Sequence, residues 1–87
     1  MYYYSTVNDI VMTHSAVMEK DGFDIIKVHF ERPGENGFDF LDMDLPGDFV
    51  YKSFGFSEDE ILKLKRYAKN NASLIWDFAQ KGGGINA

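Results

Sequence analysis

Asp42 and Asp44 stand two residues apart, so on a strand they share a face, and His29 or Glu31 could lie across from them on a neighbouring strand. Carboxylate oxygens with one imidazole would suit Mg²⁺ or Ca²⁺, which makes Asp42, Asp44 and His29 the candidate metal ligands. The run from Asp42 to Asp48 opens like a calcium loop but does not continue as one. Pro46 takes the third ligand position, and Ser53 stands where a bidentate glutamate is needed. His14 and His29 are the only histidines and there is no cysteine, so zinc would need both imidazoles and carboxylates from separate strands. A hydrolytic triad could be assembled from His29, an aspartate and Ser53 or Ser57, but neither serine sits in a nucleophile elbow. Asn71-Ala72-Ser73 matches the glycosylation pattern inside a helical stretch. Gly82-Gly83-Gly84 lacks the strand, helix and lysine of a phosphate loop. Carboxylates are also the ordinary way to keep the wet face of a sheet soluble. No cofactor is expected.

Taken as a surface, Asp39, Asp42, Asp44 and Asp48 form an acidic face that could mimic phosphates toward a DNA- or RNA-binding protein. Lys63, Arg66 and Lys69, with Tyr67 near them, form a basic-aromatic strip diluted by Asp59, Glu60 and Asp77. Nine basic residues against fourteen acidic ones, a net charge of −5, argue against direct binding of nucleic acid.

These residues must be held by strands and a helix. From Ile25 to Glu31 the chain alternates, with Ile26, Val28 and Phe30 on one side and Lys27, His29 and Glu31 on the other. The stretch from Arg32 to Gly37 is a turn, and Phe38 to Leu45 is the next strand. Its pattern slips between Phe38 and Phe40 on one phase and Leu41, Met43 and Leu45 on the other, so it carries a bulge or has both faces partly covered. Pro46-Gly47 ends it, and Asp48 to Phe54 is a fourth strand or an aromatic loop beneath the helix. Upstream, Asp9 to Glu19 reads as strand in preference to a short helix, Lys20-Asp21-Gly22 as a turn, and Tyr2 to Thr6 as an added edge strand.

The helix spans about Ser57 to about Lys81. Ser57 and Glu60 make a capping box, Phe56 and Ile61 a hydrophobic staple, and Gly82 to Gly84 the stop. Ile61, Leu64, Ala68, Ala72, Ile75 and Ala79 form its apolar stripe. Tyr67, Leu74 and Phe78 form a second stripe, with Trp76 near it, and the resulting arc is wider than one small sheet needs.

Eighty-seven residues make one domain, 1–87, ending in a flexible Gly-rich tail over 82–87. Hydrophobic content of 45% is that of a folded chain, and aromatic content of 16% marks an aromatic core or interface. The lack of cysteine suits a reducing compartment. The N-terminus has no basic start or apolar run of a signal peptide, and no apolar stretch has spanning length. A cytoplasmic protein with no membrane contact is expected.

Three stretches carry a family likeness: Val28-His29-Phe30, Gly55-Phe56-Ser57-Glu58, and Trp76-Asp77-Phe78-Ala79-Gln80-Lys81-Gly82. With them the chain resembles a family of small bacterial domains of unknown function found beside toxin–antitoxin genes. In that family a strand has a histidine-valine-histidine core, and a C-terminal helix bears an asparagine or histidine, then leucine, then tryptophan. The matching residues here are His29, Asn71, Leu74 and Trp76, the last opening a Trp-x-x-Ala-x-x-Gly ending completed by Ala79 and Gly82. Lys27 stands where the first histidine would be. The resemblance covers roughly the last two-thirds of the chain. It implies a strand-and-helix fold and a bacterial or phage origin, and brings no established activity.

The expected fold is α+β: a small antiparallel meander of three or four strands with one long C-terminal helix packed across it. The expected function is a non-catalytic protein-interaction module of toxin–antitoxin or regulatory type, binding a protein partner or a second copy through Tyr67, Leu74, Trp76 and Phe78. The alternatives are an acidic inhibitor or nucleic-acid mimic acting through the aspartates, and a metal-dependent enzyme.

Overall fold

Tight turns with left-handed backbone set the register of the sheet. The computed structural model describes residues 1–82, and within them the chain forms six strands and two helices. These are β1 (Tyr2–Val7), β2 (Ile10–His14), β3 (Met18–Lys20), β4 (Phe23–Gly34), β5 (Gly37–Leu45), β6 (Phe49–Phe54), α1 (Glu58–Asn70) and α2 (Ala72–Gln80). Every pairing is antiparallel, in the order β1-β2-β4-β5-β6, and β3 pairs with the first residues of β4. Asn8 and Asp9, with φ of 51° and 66°, join β1 to β2; Asp21 and Gly22, at 53° and 84°, join β3 to β4. Two consecutive positive φ values give the turn whose twist matches a hairpin, and Asn, Asp and Gly are the residues that adopt them.

The strand expected over Asp9 to Glu19 is divided between β2 and β3 at Ser15, and the cause is local. His14 Nδ1 donates to the Ser15 carbonyl at 2.8 Å, which turns that carbonyl out of the ladder. Ser15 Oγ takes its place and accepts the Lys27 amide at 2.9 Å, while the Ser15 amide still donates to the Lys27 carbonyl at 2.9 Å. Ser15→Ala therefore leaves the Lys27 N–H without an acceptor. It is expected to cost about 1–2 kcal/mol in urea unfolding; no measurable loss would mean that water or a ladder carbonyl replaces the hydroxyl.

In β4, Ile26, Val28 and Phe30 are buried against the helices and face Leu45, Met43 and Leu41 of β5. Met12 and His14 of β2 extend this face, and Phe56, Leu64, Ala68, Ile75 and Ala79 close on it from the helical side. β5 pairs with β4 without interruption, so Phe38 and Phe40 fall in phase with Asp42 and Asp44 on the face away from the helices. The bulge lies in β6, where Tyr51 is skipped between Lys52↔Asp42 and Val50↔Met43.

Two parts of the expected architecture are corrected. The sheet has six strands where three or four were expected, because 9–19 gives two short strands and both 2–7 and 49–54 join the ladder. The single long helix is two helices, broken at Asn71, whose φ and ψ are −102° and 3°. Asparagine competes for backbone partners in a helix interior. Here its Nδ2 donates to the Tyr67 carbonyl at 2.8 Å, and its Oδ1 accepts the Tyr4 hydroxyl at 2.7 Å. The apolar stripe passes through the break because Ala68, Ala72, Ile75 and Ala79 keep facing the sheet on either side of it.

The capping box is present, with Ser57 Oγ accepting the Glu60 amide at 3.2 Å and Glu60 Oε1 accepting the Ser57 amide at 2.9 Å. No helix among the described residues is long and apolar enough to cross a membrane. Of the expected Gly-rich tail over 82–87, residues 83–87 lie outside the described residues.

Candidate functional site

The helices cover one face of the sheet and leave the other open. Three rows of side chains cross the open face from β4 through β5 to β6: Lys27, Asp44 and Phe49; His29, Asp42 and Lys52; Glu31, Phe40 and Phe54. The middle row holds the most organised polar group. His29 Nδ1 meets Asp42 Oδ1 at 2.5 Å, and Nε2 meets Glu31 Oε1 at 3.0 Å. Partial burial works to lower the imidazole pKa, but the hydrogen bonds from Asp42 and Glu31 outweigh it and hold His29 above its ordinary value. With a carboxylate on each ring nitrogen, the imidazole is built to carry charge and has no free lone pair to act as a base.

Neither serine of the nominal triad meets it. Ser57 caps α1, and Ser53 pairs with Leu41, on the helix side of the ladder. Asp42 and Asp44, the carboxylates proposed as metal ligands with His29, are engaged separately. Asp42 holds His29, and Asp44 faces Lys20 at 3.3 Å and Lys27 at 3.8 Å. Among the described residues no three His, Asp or Glu side chains converge as a metal site.

The four aspartates of the acidic face are not on one face. Asp42 and Asp44 lie on the open side, Asp44 buried there against Lys20 and Lys27, whereas Asp39 holds Arg32 at 2.9 Å at the edge of the helix side and Asp48 approaches Lys69 of α1 at 3.6 Å. Asp39, Asp44 and Asp48 each have a lysine or arginine against them and Asp42 has the His29 imidazole, so the four do not form one free acidic row.

Of the four residues expected to bind a partner, two are covered by β1. Tyr67 donates its hydroxyl to Ser5 Oγ at 2.9 Å and meets the Phe30 ring edge-on; Phe78 packs on Tyr4. Trp76 is half-buried against the core, and Leu74 is exposed beside it along α2. A cleft of about 340 Å³ between the β1–β2 hairpin and α1 is floored by Ile10, Met12, Phe30 and Leu64. Of its charged lining residues Arg32, Glu60 and Lys63, the first two bind each other.

Several aromatic residues that reach solvent are on the open face. Phe38, Phe49 and Phe54 are 58%, 61% and 54% exposed, and Tyr51 is 42% exposed. Phe40 lies nearly parallel to both His29 and Phe54, and Phe49 to Tyr51. Lys27 and Lys20 stand over the Tyr51 ring at 4.8 and 5.8 Å, and Lys52 over Phe40 at 5.7 Å. Sequence reasoning left Phe49, Tyr51 and Phe54 on a fourth strand or in a loop beneath the helix, and the strand is what forms; the signal for the face was Phe38 and Phe40 in phase with Asp42 and Asp44. No protein-family model, curated protein or solved structure matches the chain, so the site is read from its own residues.

Proposed function

We propose that this protein is a non-catalytic interaction module that takes a protein partner on the open face of its sheet. The observation that carries the reading is the set of solvent-exposed rings, Phe38, Phe49, Tyr51 and Phe54, with half-buried Phe40 among them, on the face away from the helices. Exposed apolar area of this kind, rimmed by charge, marks contact surfaces, and rings of Phe and Tyr bring large rigid area at small entropic cost. The His29 imidazole, with both ring nitrogens engaged by carboxylates, supports a binding role over a catalytic one. The resemblance to domains encoded beside toxin–antitoxin genes supports a regulatory setting, and the absence of cysteine a cytoplasmic one.

The test is capture from a bacterial lysate at low and high salt, comparing wild type with Phe49→Ala/Phe54→Ala. A protein retained by wild type in high salt and lost, by at least about tenfold in affinity, from the double variant is the expected result. Equal retention by the variant would overturn the open face as the contact; Leu74→Ala then tests α2. A nucleic-acid-binding protein released by salt would instead favour the aspartates.

A further inference from the structure

β6 is an end strand of the sheet, and its side chains read nearly the same in either direction. Phe49, Tyr51, Lys52 and Phe54 lie on the open side, Val50 and Ser53 on the helix side. A regular strand could not show this pattern, because neighbours alternate faces. The bulge at Tyr51 creates it, by placing Tyr51 and Lys52 on the same face. Residues directly opposite in an antiparallel pair must share a face. When β6 is laid against a second β6, only one register satisfies that for all six residues: Phe49 opposite Phe54, Val50 opposite Ser53, and Tyr51 opposite Lys52.

We propose that a second copy of the chain is the occupant of this edge, adding its β6 antiparallel about a two-fold axis between Tyr51 and Lys52 and joining two sheets into one. The contact is self-complementary, as a two-fold interface requires. An aromatic pair closes each end, and a lysine meets an aromatic ring twice at the centre. No like charges stand opposite. The two Lys52 side chains lean back over their own Phe40 rings, away from each other. A lysine and a bulge are the usual means of keeping an edge unpaired, but here the two bulges fall at one level, so the bends of the two strands coincide.

β1, at the opposite end of the sheet, also has a bulge, near Tyr4, but its side chains are engaged within the chain. Tyr3 bonds Thr6, Tyr4 bonds Asn71, and Ser5 accepts from Tyr67. The rings of β6 stack on one another and on Phe40, and lysines stand against them. The dimer does not depend on the partner-binding reading, and it would merge two open faces into one aromatic platform.

Sedimentation equilibrium of the purified chain tests it without any partner. Six residues make a small interface, so a dimer of twice the 10.0 kDa chain mass is expected, with a Kd on the order of 10–100 μM. Phe49→Lys/Phe54→Lys puts lysine opposite lysine twice and should weaken the dimer at least about tenfold. Phe49→Lys/Phe54→Glu puts lysine opposite glutamate twice in this register and should restore it. The chain has no native cysteine, so Val50→Cys/Ser53→Cys reports the register independently of those charges. Mild oxidation should give a covalent dimer, whereas Val50→Cys alone leaves its thiols roughly 10 Å apart along the strands and should not. A wild-type chain monomeric to about 1 mM overturns the proposal. So does a dimer indifferent to both charge pairs, an assembly that keeps growing beyond two copies, or an oxidised double-cysteine variant that stays monomeric.

Discussion

Phe30→Ala is expected to remove about 3–5 kcal/mol of stability, the range for truncating a buried aromatic ring. Phe30 is 1% exposed and lies midway along β4, across from Met12 on β2 and Leu41 on β5. On the helix side its ring meets Tyr67 edge-on, with centroids 6.5 Å apart. Three strands and a helix therefore lose a common contact, and the cavity has little means of closing. The strands are fixed by their ladders, and Tyr67 is anchored to Ser5 through its hydroxyl. A domain of 87 residues carries a net stability on the order of 4–13 kcal/mol, so the substitution takes much or all of it. Phe30→Leu, which keeps most of the volume, is expected to cost about 1–2 kcal/mol. Urea unfolding of both variants checks the pair. An alanine variant within about 1 kcal/mol of wild type would show that α1 settles onto the sheet, and that the helix–sheet spacing is not set by this ring.

The alternation in β4 was legible because its two phases differ in kind, Ile26, Val28 and Phe30 against Lys27, His29 and Glu31, and the structure keeps those faces apart. The cap of α1 was legible because a capping box is local chemistry that needs no tertiary partner. The helix break was not, since Asn71 is a weak breaker alone and is held there by Tyr4 of β1, far away in sequence, whose hydroxyl donates to its Oδ1. The covering of Tyr67 and Phe78 was not legible for a related reason. A wide apolar arc on a helix does not say what covers it, and the contacts that bring Tyr4 and Ser5 of β1 over Phe78 and Tyr67 join residues far apart in sequence. Phase in β5 held the better information: Phe38 and Phe40 keep step with aspartates, so the face that the aspartates keep wet also carries rings.

Arg32→Met is expected to cost about 2–3 kcal/mol at neutral pH, and the loss should shrink in acid. Arg32 ties three elements together. Its Nε donates to Asp39 of β5 at 2.9 Å, its Nη1 and Nη2 to Glu60 of α1 at 2.5 and 3.2 Å, and its guanidinium lies 4.4 Å from the centre of the Phe56 ring. Glu60 is also the capping-box carboxylate, so the same residue fixes the start of the helix and its attachment to the sheet. Removing the cation leaves two carboxylates close together, but the Asp39 and Glu60 side chains keep 16% and 37% exposure. Water therefore holds the penalty below the roughly 3–5 kcal/mol of a fully buried pair. Gly55 belongs to the same joint: at φ 88° it takes a left-handed backbone, and a Cβ there would strike the Asp39 carboxylate. The hydrogen bonds from Arg32, then the backbone of Ser57, lower the Glu60 pKa from 4.5 to about 2. A depressed carboxylate stabilises the fold fully above the unfolded value and ceases to do so as pH falls through the folded one. The stability difference between wild type and Arg32→Met should therefore be constant from about pH 7 to about pH 5 and narrow between about 4.5 and about 2. Unfolding curves taken across that window decide it. A difference that does not change with acidification would show that Arg32 acts through its packing on Phe56 and not through its charge.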